Sequence, residues 1–170
     1  MRNLLMVVLL FSCFGLMAQS EAMTNKKLGK IIKEQSEAIE GIEGNWQIYI
    51  NERVLFIITD TRANRMRIFT PIIETTEIDE NIMKAMLIAN FHTALDAKYS
   101  IYEGLVISTF THPLAELSEG QAIDAVQQVV RLAETFGSTF TSTEFIFGGG
   151  VGEEPIEETD EAPKRKIKKS

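Results

Sequence analysis

The sequence predicts an α+β domain: one antiparallel sheet of about five strands flanked by helices, in the order α-β-β-β-α-β-β-α. Three observations carry this. Apolar residues recur at helical spacing in three stretches. Between them lie five short stretches where apolar residues alternate or run unbroken. Gly, Asp and Asn separate the stretches as turn signals.

The first helix is expected over Met23–Ile39. Leu28, Ile31, Ile32 and Ile39 fall near one face, and Lys26, Lys27, Lys30, Lys33, Glu34 and Glu37 occupy the rest. Gly29 weakens it internally, and Gly41 and Gly44 end it. Strand chemistry follows. In Asn45–Asn51, Trp46, Ile48 and Ile50 alternate with Gln47 and Tyr49, the period of a half-buried strand. Arg53–Asp60 carries the run Val54–Ile58, suited to a strand covered on both faces. Arg65–Ile73 is a third strand. Pro71, which has no N–H to donate, marks a strand end or edge there.

The second helix is expected over Thr75–Leu95, with Thr76 and Asp79 as a capping pair and Ile82, Met83, Met86, Leu87 and Phe91 as its apolar face. Ala97–Tyr102 and Leu105–Thr111 are two further strands joined at Glu103-Gly104, where glycine tolerates positive φ. Ser118-Glu119-Gly120-Gln121 reads as a capping box opening a third helix, with Ile123, Val126, Val129, Val130, Ala133, Phe136 and Phe140 on its apolar side. One core is expected, containing Trp46, Phe56, Leu87, Phe91, Ile107, Phe110, Val126 and Val130.

Residues 1–20 read as a signal peptide. Arg2 starts it, Leu4–Phe11 is an unbroken apolar run, and Ala18 and Ser20 are small exit residues. The run is short and interrupted for a membrane span, which needs roughly 20 apolar residues. The domain then covers 23–147, and 148–170 is a disordered charged tail of six acids followed by five bases. Cys13, the single cysteine, sits in Leu10-Phe11-Ser12-Cys13, which resembles a bacterial lipobox. It is the one candidate lipidation site, and membrane contact is expected only if it is acylated.

The chain carries a net charge of -7, a poor balance for neutralising nucleic-acid phosphates, so no nucleic-acid partner is expected. No catalytic, metal or cofactor site is predicted. His92 and His112 are the two histidines and lack ligand spacing. Glu74/Glu77 and Asp79/Glu80 sit where a helix start favours negative charge. Gly148-Gly149-Gly150 is followed by neither a helix nor a Lys-Ser/Thr pair, so it reads as a joint and not a phosphate loop. Arg53, Arg62, Arg65 and Arg67 gather around two strands. They read as solvated guards of a sheet edge or, alternatively, as a patch for an anionic partner. An enzyme reading would need a cleft gathering Asp79, Glu103 and Glu116.

The element order has a helix before two final strands and a closing helix. It resembles the type III secretion chaperone-like fold, including the YbjN-type domains. Met86-Leu87-Ile88-Ala89-Asn90-Phe91, Ala97-Lys98-Tyr99-Ser100-Ile101 and Leu105-Val106-Ile107-Ser108-Thr109-Phe110 look like that family's helix–strand–strand centre. The resemblance spans roughly 23–147. It implies a sheet backed by helices, often a dimer, that binds peptides or other proteins. The family's secretion chaperones are cytoplasmic and bind unfolded effector segments. The leader adds a different location, periplasmic or secreted from a bacterial cell. The function expected is therefore an exported, non-enzymatic protein- or peptide-binding module, able to form a homodimer. The alternative is an envelope-associated structural or lipid-anchored accessory protein.

Overall fold

Helix α1 (Asn25–Glu34) opens the fold. It is followed by strands β1 (Ala38–Ile42), β2 (Asn45–Ile50), β3 (Arg53–Asp60) and β4 (Arg65–Glu74). A 3-10 turn (Thr75–Glu77) leads into α2 (Glu80–His92). Strands β5 (Lys98–Tyr102) and β6 (Leu105–His112) and helix α3 (Glu119–Glu134) complete it. This computed structural model describes residues 21–143. The expected signal peptide, Cys13, Gly148–Gly150 and the charged tail lie outside the described residues.

The six strands form one antiparallel sheet in the order β1-β2-β3-β4-β6-β5. The predicted α+β class holds, with one strand more than expected. That strand is β1, whose first two residues fall in the expected helix of 23–39 and whose Gly41 reads as a helix break. Helix α1 ends at Glu34, and Glu37 N–H already donates to the Tyr49 carbonyl, joining the chain to the sheet. The β5–β6 hairpin turns in two residues at Glu103-Gly104, as expected, and the β2–β3 hairpin does so at Asn51-Glu52. Asn51 and Glu52 both have positive φ, as do Glu103 and Gly104, so each pair matches the right-handed twist of its strands. Gly29 has a packing reason. A Cβ there would stand 3.2 Å from the Trp46 indole, so glycine lets α1 approach β2.

The first correction concerns Pro71 and the arginines. Strands β3 and β4 lie inside the sheet, whose edges are β1 and β5. Arg53, Arg62, Arg65 and Arg67 therefore guard no sheet edge. Pro71 is tolerated because pairing of β3 with β4 runs only from Phe56/Phe69 to Asp60/Arg65, and a register shift against β6 falls between Pro71 and Ile73. Extending that register would set Val54 opposite Pro71. The Thr70 hydroxyl donates to the Val54 carbonyl at 2.7 Å, a bond the proline cannot make.

The core lies between the sheet and the helices. Eight residues of α3 are buried, and α3 packs on β4, β6 and α1. Its capping box is formed as expected: Gln121 N–H donates to Ser118 Oγ at 3.2 Å, and Ser118 N–H to Gln121 Oε1 at 2.9 Å. Trp46, Phe110, Val126 and Val130 are in the core as predicted, with Leu55, Ile57, Met66, Ile68 and Leu132. Four predicted members are not. Leu87 and Phe91 face solvent. Phe56 and Ile107 lie on the opposite face of the sheet: Trp46 pairs with Ile57, which puts Phe56 out of phase, and Ile107, though buried as expected, lines that face with Phe69 and Thr109 outside the core cluster.

Two buried polar side chains fix the junction of α2, β5 and α3. Gln128 Oε1 accepts from Asp96 and Ala97 N–H at 3.1 Å each, while its amide donates to Asp124 at 2.6 Å. The Tyr99 hydroxyl donates to the Leu132 carbonyl at 2.8 Å, beneath Phe136 and Phe140. Burial raises the Tyr99 phenol well above its ordinary value. The folded chain thus holds Tyr99 neutral where an unfolded chain would ionise it, near pH 10. This contribution is present below about pH 10 and is lost as pH rises beyond it. Lys98 runs the other way. Burial lowers its pKa, so its cost in the fold falls as pH rises toward the free-lysine value. Tyr99→Phe should therefore remove one downward component of stability above about pH 10, read from urea midpoints at pH 8 and 10.5. Identical pH slopes in parent and variant would count against it.

Candidate protein-binding site

Helix α2 starts where Asp79 accepts from Ile82 N–H at 2.8 Å. Asp79 is thus the cap itself, and Thr76 bonds instead to Glu74. The helix ends at Thr93, with Ala94 N–H reaching back to the Ala89 carbonyl and Leu95 in the left-handed region. Lys98 Nζ donates to the Asn90 carbonyl at 2.6 Å and to that of Leu95, placing positive charge at the helix's carbonyl end. Asn90 ties the helix to β5 through both Tyr99 backbone groups, at 3.1 and 2.7 Å.

The side chains of α2 divide into two faces, and both are apolar. Met86 and Ala89 are buried, with Ile82 packed beside them. On the other side Met83 is 40% exposed, Leu87 66%, Ile88 52% and Phe91 69%. A helix apolar around most of its circumference is normally enclosed. Here the outer half stands in solvent, the kind of patch that marks an interaction surface. The sequence listed most of these residues and assigned their face to the core. Edge strand β5 continues the exposed apolar surface with Ile101 and Tyr102, each more than half exposed. The Glu103 carboxylate beside Tyr102 raises its phenol above the ordinary value.

A second candidate surface is the sheet face away from the helices. Phe56 stacks on Phe69 at 5.2 Å, and Tyr102 meets Phe69 edge-on at 6.0 Å. Beside this row a concavity of about 370 Å³ is lined by Ile58, Arg67, Phe69, Tyr102, Ile107 and Thr109 among others. Sequence reading missed it, because Val54–Ile58 is apolar on both faces and does not show which face the helices cover.

The remaining predicted residues are dispersed. His92 is exposed at the end of α2, against the Phe91 ring. His112 Nδ1 lies 2.7 Å from the Pro113 carbonyl. Among the described residues no three His, Cys, Asp or Glu come together as a metal site. Glu116 accepts from Asn64 Nδ2 at 2.8 Å, which lowers its pKa, and Glu103 is in the β5–β6 turn. Asp79, Glu103 and Glu116 thus belong to three separate local structures. Arg53 Nη2 donates to the Ala133 carbonyl, Arg65 Nη1 to that of Asn64, and Arg67 Nε to Thr111 Oγ1. These three arginines are therefore engaged locally, and Arg62 stands exposed in the β3–β4 loop.

No protein-family model matches the chain, and no curated protein matches it. Solved structures do. The HopA1-SchA chaperone–effector complex matches at 13% identity and a TM-score of 0.50, over 64% of this chain and 88% of that one. The ExsC–ExsE complex matches at 13% and 0.51, over 66% and 92%. The Yersinia pestis type III secretion chaperone SycH, in complex with a stable fragment of YscM2, matches at 16% and 0.52, over 67% and 100%. The chain has the fold of the type III secretion chaperones. At these identities the likeness is one of fold. It corrects the expected location. The periplasmic or secreted reading rested on the leader alone, whereas the chaperones sharing this fold form a cytoplasmic class, so that reading is not kept. Among the described residues no helix is long and apolar enough to cross a membrane.

Proposed function

We propose that the chain is a protein- or peptide-binding module without turnover of its own, and that the outer face of α2 with edge strand β5 receives the partner. One observation carries this. Met83, Leu87, Ile88 and Phe91 stand exposed on one helix while the core is closed without them. The neighbouring structures support the reading, since each was solved with a bound protein or protein fragment. Exposed edges and apolar helix faces are the usual means by which such folds take a strand or a helix. A second copy of the chain, giving a homodimer, is the simplest partner. The local roles of Asp79, Glu103 and Glu116 argue against a hydrolase. The alternative of a lipid-anchored accessory protein rests on Cys13 and draws nothing from the described residues.

Light scattering over a range of concentrations, followed by anisotropy titration with labelled unstructured polypeptides, tests the proposal. Saturable association that weakens with Leu87→Asp is expected. A monomer that binds nothing, hydrolyses an ester, glycoside or peptide, and loses that activity on substitution of Asp79 or Glu103 would overturn it.

A further inference from the structure

The chain leaves its described part at the C-terminal end of α2. Ser142 N–H donates to the Thr93 carbonyl at 3.1 Å and its hydroxyl to the Ala94 carbonyl at 2.7 Å. Thr93 Oγ1 donates to the Phe140 carbonyl at 2.6 Å, and Thr141 Oγ1 to that of Thr93 at 3.3 Å. These bonds hold Ser142 and Thr143 beside the last turn of α2. Next to that point a groove of about 450 Å³ opens between α2 and β5, lined by Asn90, Phe91, Leu95, Asp96 and Lys98. Asn90 and Lys98 are committed to backbone groups of the helix end and β5, as described above. The groove's apolar walls are therefore Phe91 and Leu95, and Phe91 also belongs to the exposed apolar residues of α2, with Leu87 one turn before it.

The sequence continues Glu144-Phe145-Ile146-Phe147 and then Gly148-Gly149-Gly150. Three consecutive large apolar residues thus follow the exit directly, before a charged tail in which Ile156 and Ile167 stand singly among charges. Two to four extended residues reach about 7–14 Å. From Thr93 back to Leu87 is about 9 Å along the helix axis. We propose that Phe145–Phe147 docks in this chain's own groove over Phe91 and Leu87, and that a partner must displace it. The proposal rests on the reading of α2 as the partner-binding face. It makes that face self-covered in the free chain. If nine-tenths of molecules are covered, a partner's apparent affinity falls about tenfold.

A spin label at Gly149→Cys, in a full chain carrying Cys13→Ser, tests the contact. Resonances of Leu87, Ile88 and Phe91 should broaden when label and observed nucleus share a chain. They should stay sharp when labelled chains are mixed with isotope-enriched unlabelled ones. No broadening, or broadening only in the mixture, overturns the proposal, and the second result names a second copy as the occupant. In parallel, Phe145→Ser/Phe147→Ser should bind the apolar dye anilinonaphthalene sulfonate more strongly than the parent, whereas deletion of 153–170 should not. Equal dye binding by the parent and the serine variant also overturns it. The partner-binding reading fails separately. Intrachain broadening with partner affinity unmoved by Leu87→Asp keeps the docking and rejects α2 as the partner's face.

Discussion

Leu87→Asp/Phe91→Asp should stay folded, with a melting temperature lowered at most by the loss of the docked Phe145–Phe147 segment, and lose its partner. Both side chains are about two-thirds exposed, so a carboxylate in either place stays in water. Surface changes of this kind move stability by about 0.5 kcal/mol or less. Binding responds differently. A large apolar side chain at the centre of an interface contributes about 2 kcal/mol or more, and a desolvated charge there costs further. A loss of at least about 30-fold in affinity follows. The same substitution one face away has the opposite profile. Met86→Asp places a charge in the core and should unfold the domain, because no Lys or Arg is buried among the described residues. Thermal melts and titrations on these two variants separate the faces of α2. A fall in melting temperature for the Leu87/Phe91 variant as large as for Met86→Asp would mean that the outer face is packed.

The sheet, the capping box of α3 and the Glu103-Gly104 turn were legible because each rests on a local rule that tertiary packing did not override. Alternation in Asn45–Asn51 correctly buried Trp46 and Ile48. The phase of α2 was not legible. Ile82, Met83, Met86, Leu87, Ile88 and Phe91 surround the helix, so periodicity locates the element without saying which side meets the sheet. Strand β3 posed the same problem in another form, since Leu55 and Ile57 compete with Val54, Phe56 and Ile58 for the core. Only the pairing of Ile57 with Trp46 decides between them. Strand β1 was missed for the opposite reason. Ala38-Ile39-Glu40-Gly41-Ile42 is short, exposed and glycine-containing, with little strand propensity of its own, and it forms because β2 offers it an edge. The candidate site thus fell on a helix whose apolar residues lie on both faces, where periodicity is least informative.

Leu132→Ala should cost about 2–5 kcal/mol, whereas Phe91→Ala should cost clearly less, although phenylalanine is the larger side chain. Leu132 is fully buried among α3's core residues, and its carbonyl receives the Tyr99 hydroxyl. Removing its side chain leaves a cavity beneath the aromatic cluster of Tyr99, Phe136 and Phe140. That cluster is hard to collapse, because Thr135 Oγ1 donates to the Thr141 carbonyl at 2.8 Å and accepts from Thr141 N–H at 3.0 Å. Phe91 stands outside the core, its ring 69% exposed and edge-on to His92, so its removal opens no core cavity. Urea unfolding at constant m compares the two directly. With a total stability of about 5–15 kcal/mol, the Leu132 variant approaches the limit of folding while the Phe91 variant does not. Equal costs would mean that the outer face of α2 is part of the core. Both the partner-binding reading and the docking of Phe145–Phe147 would then lose their surface.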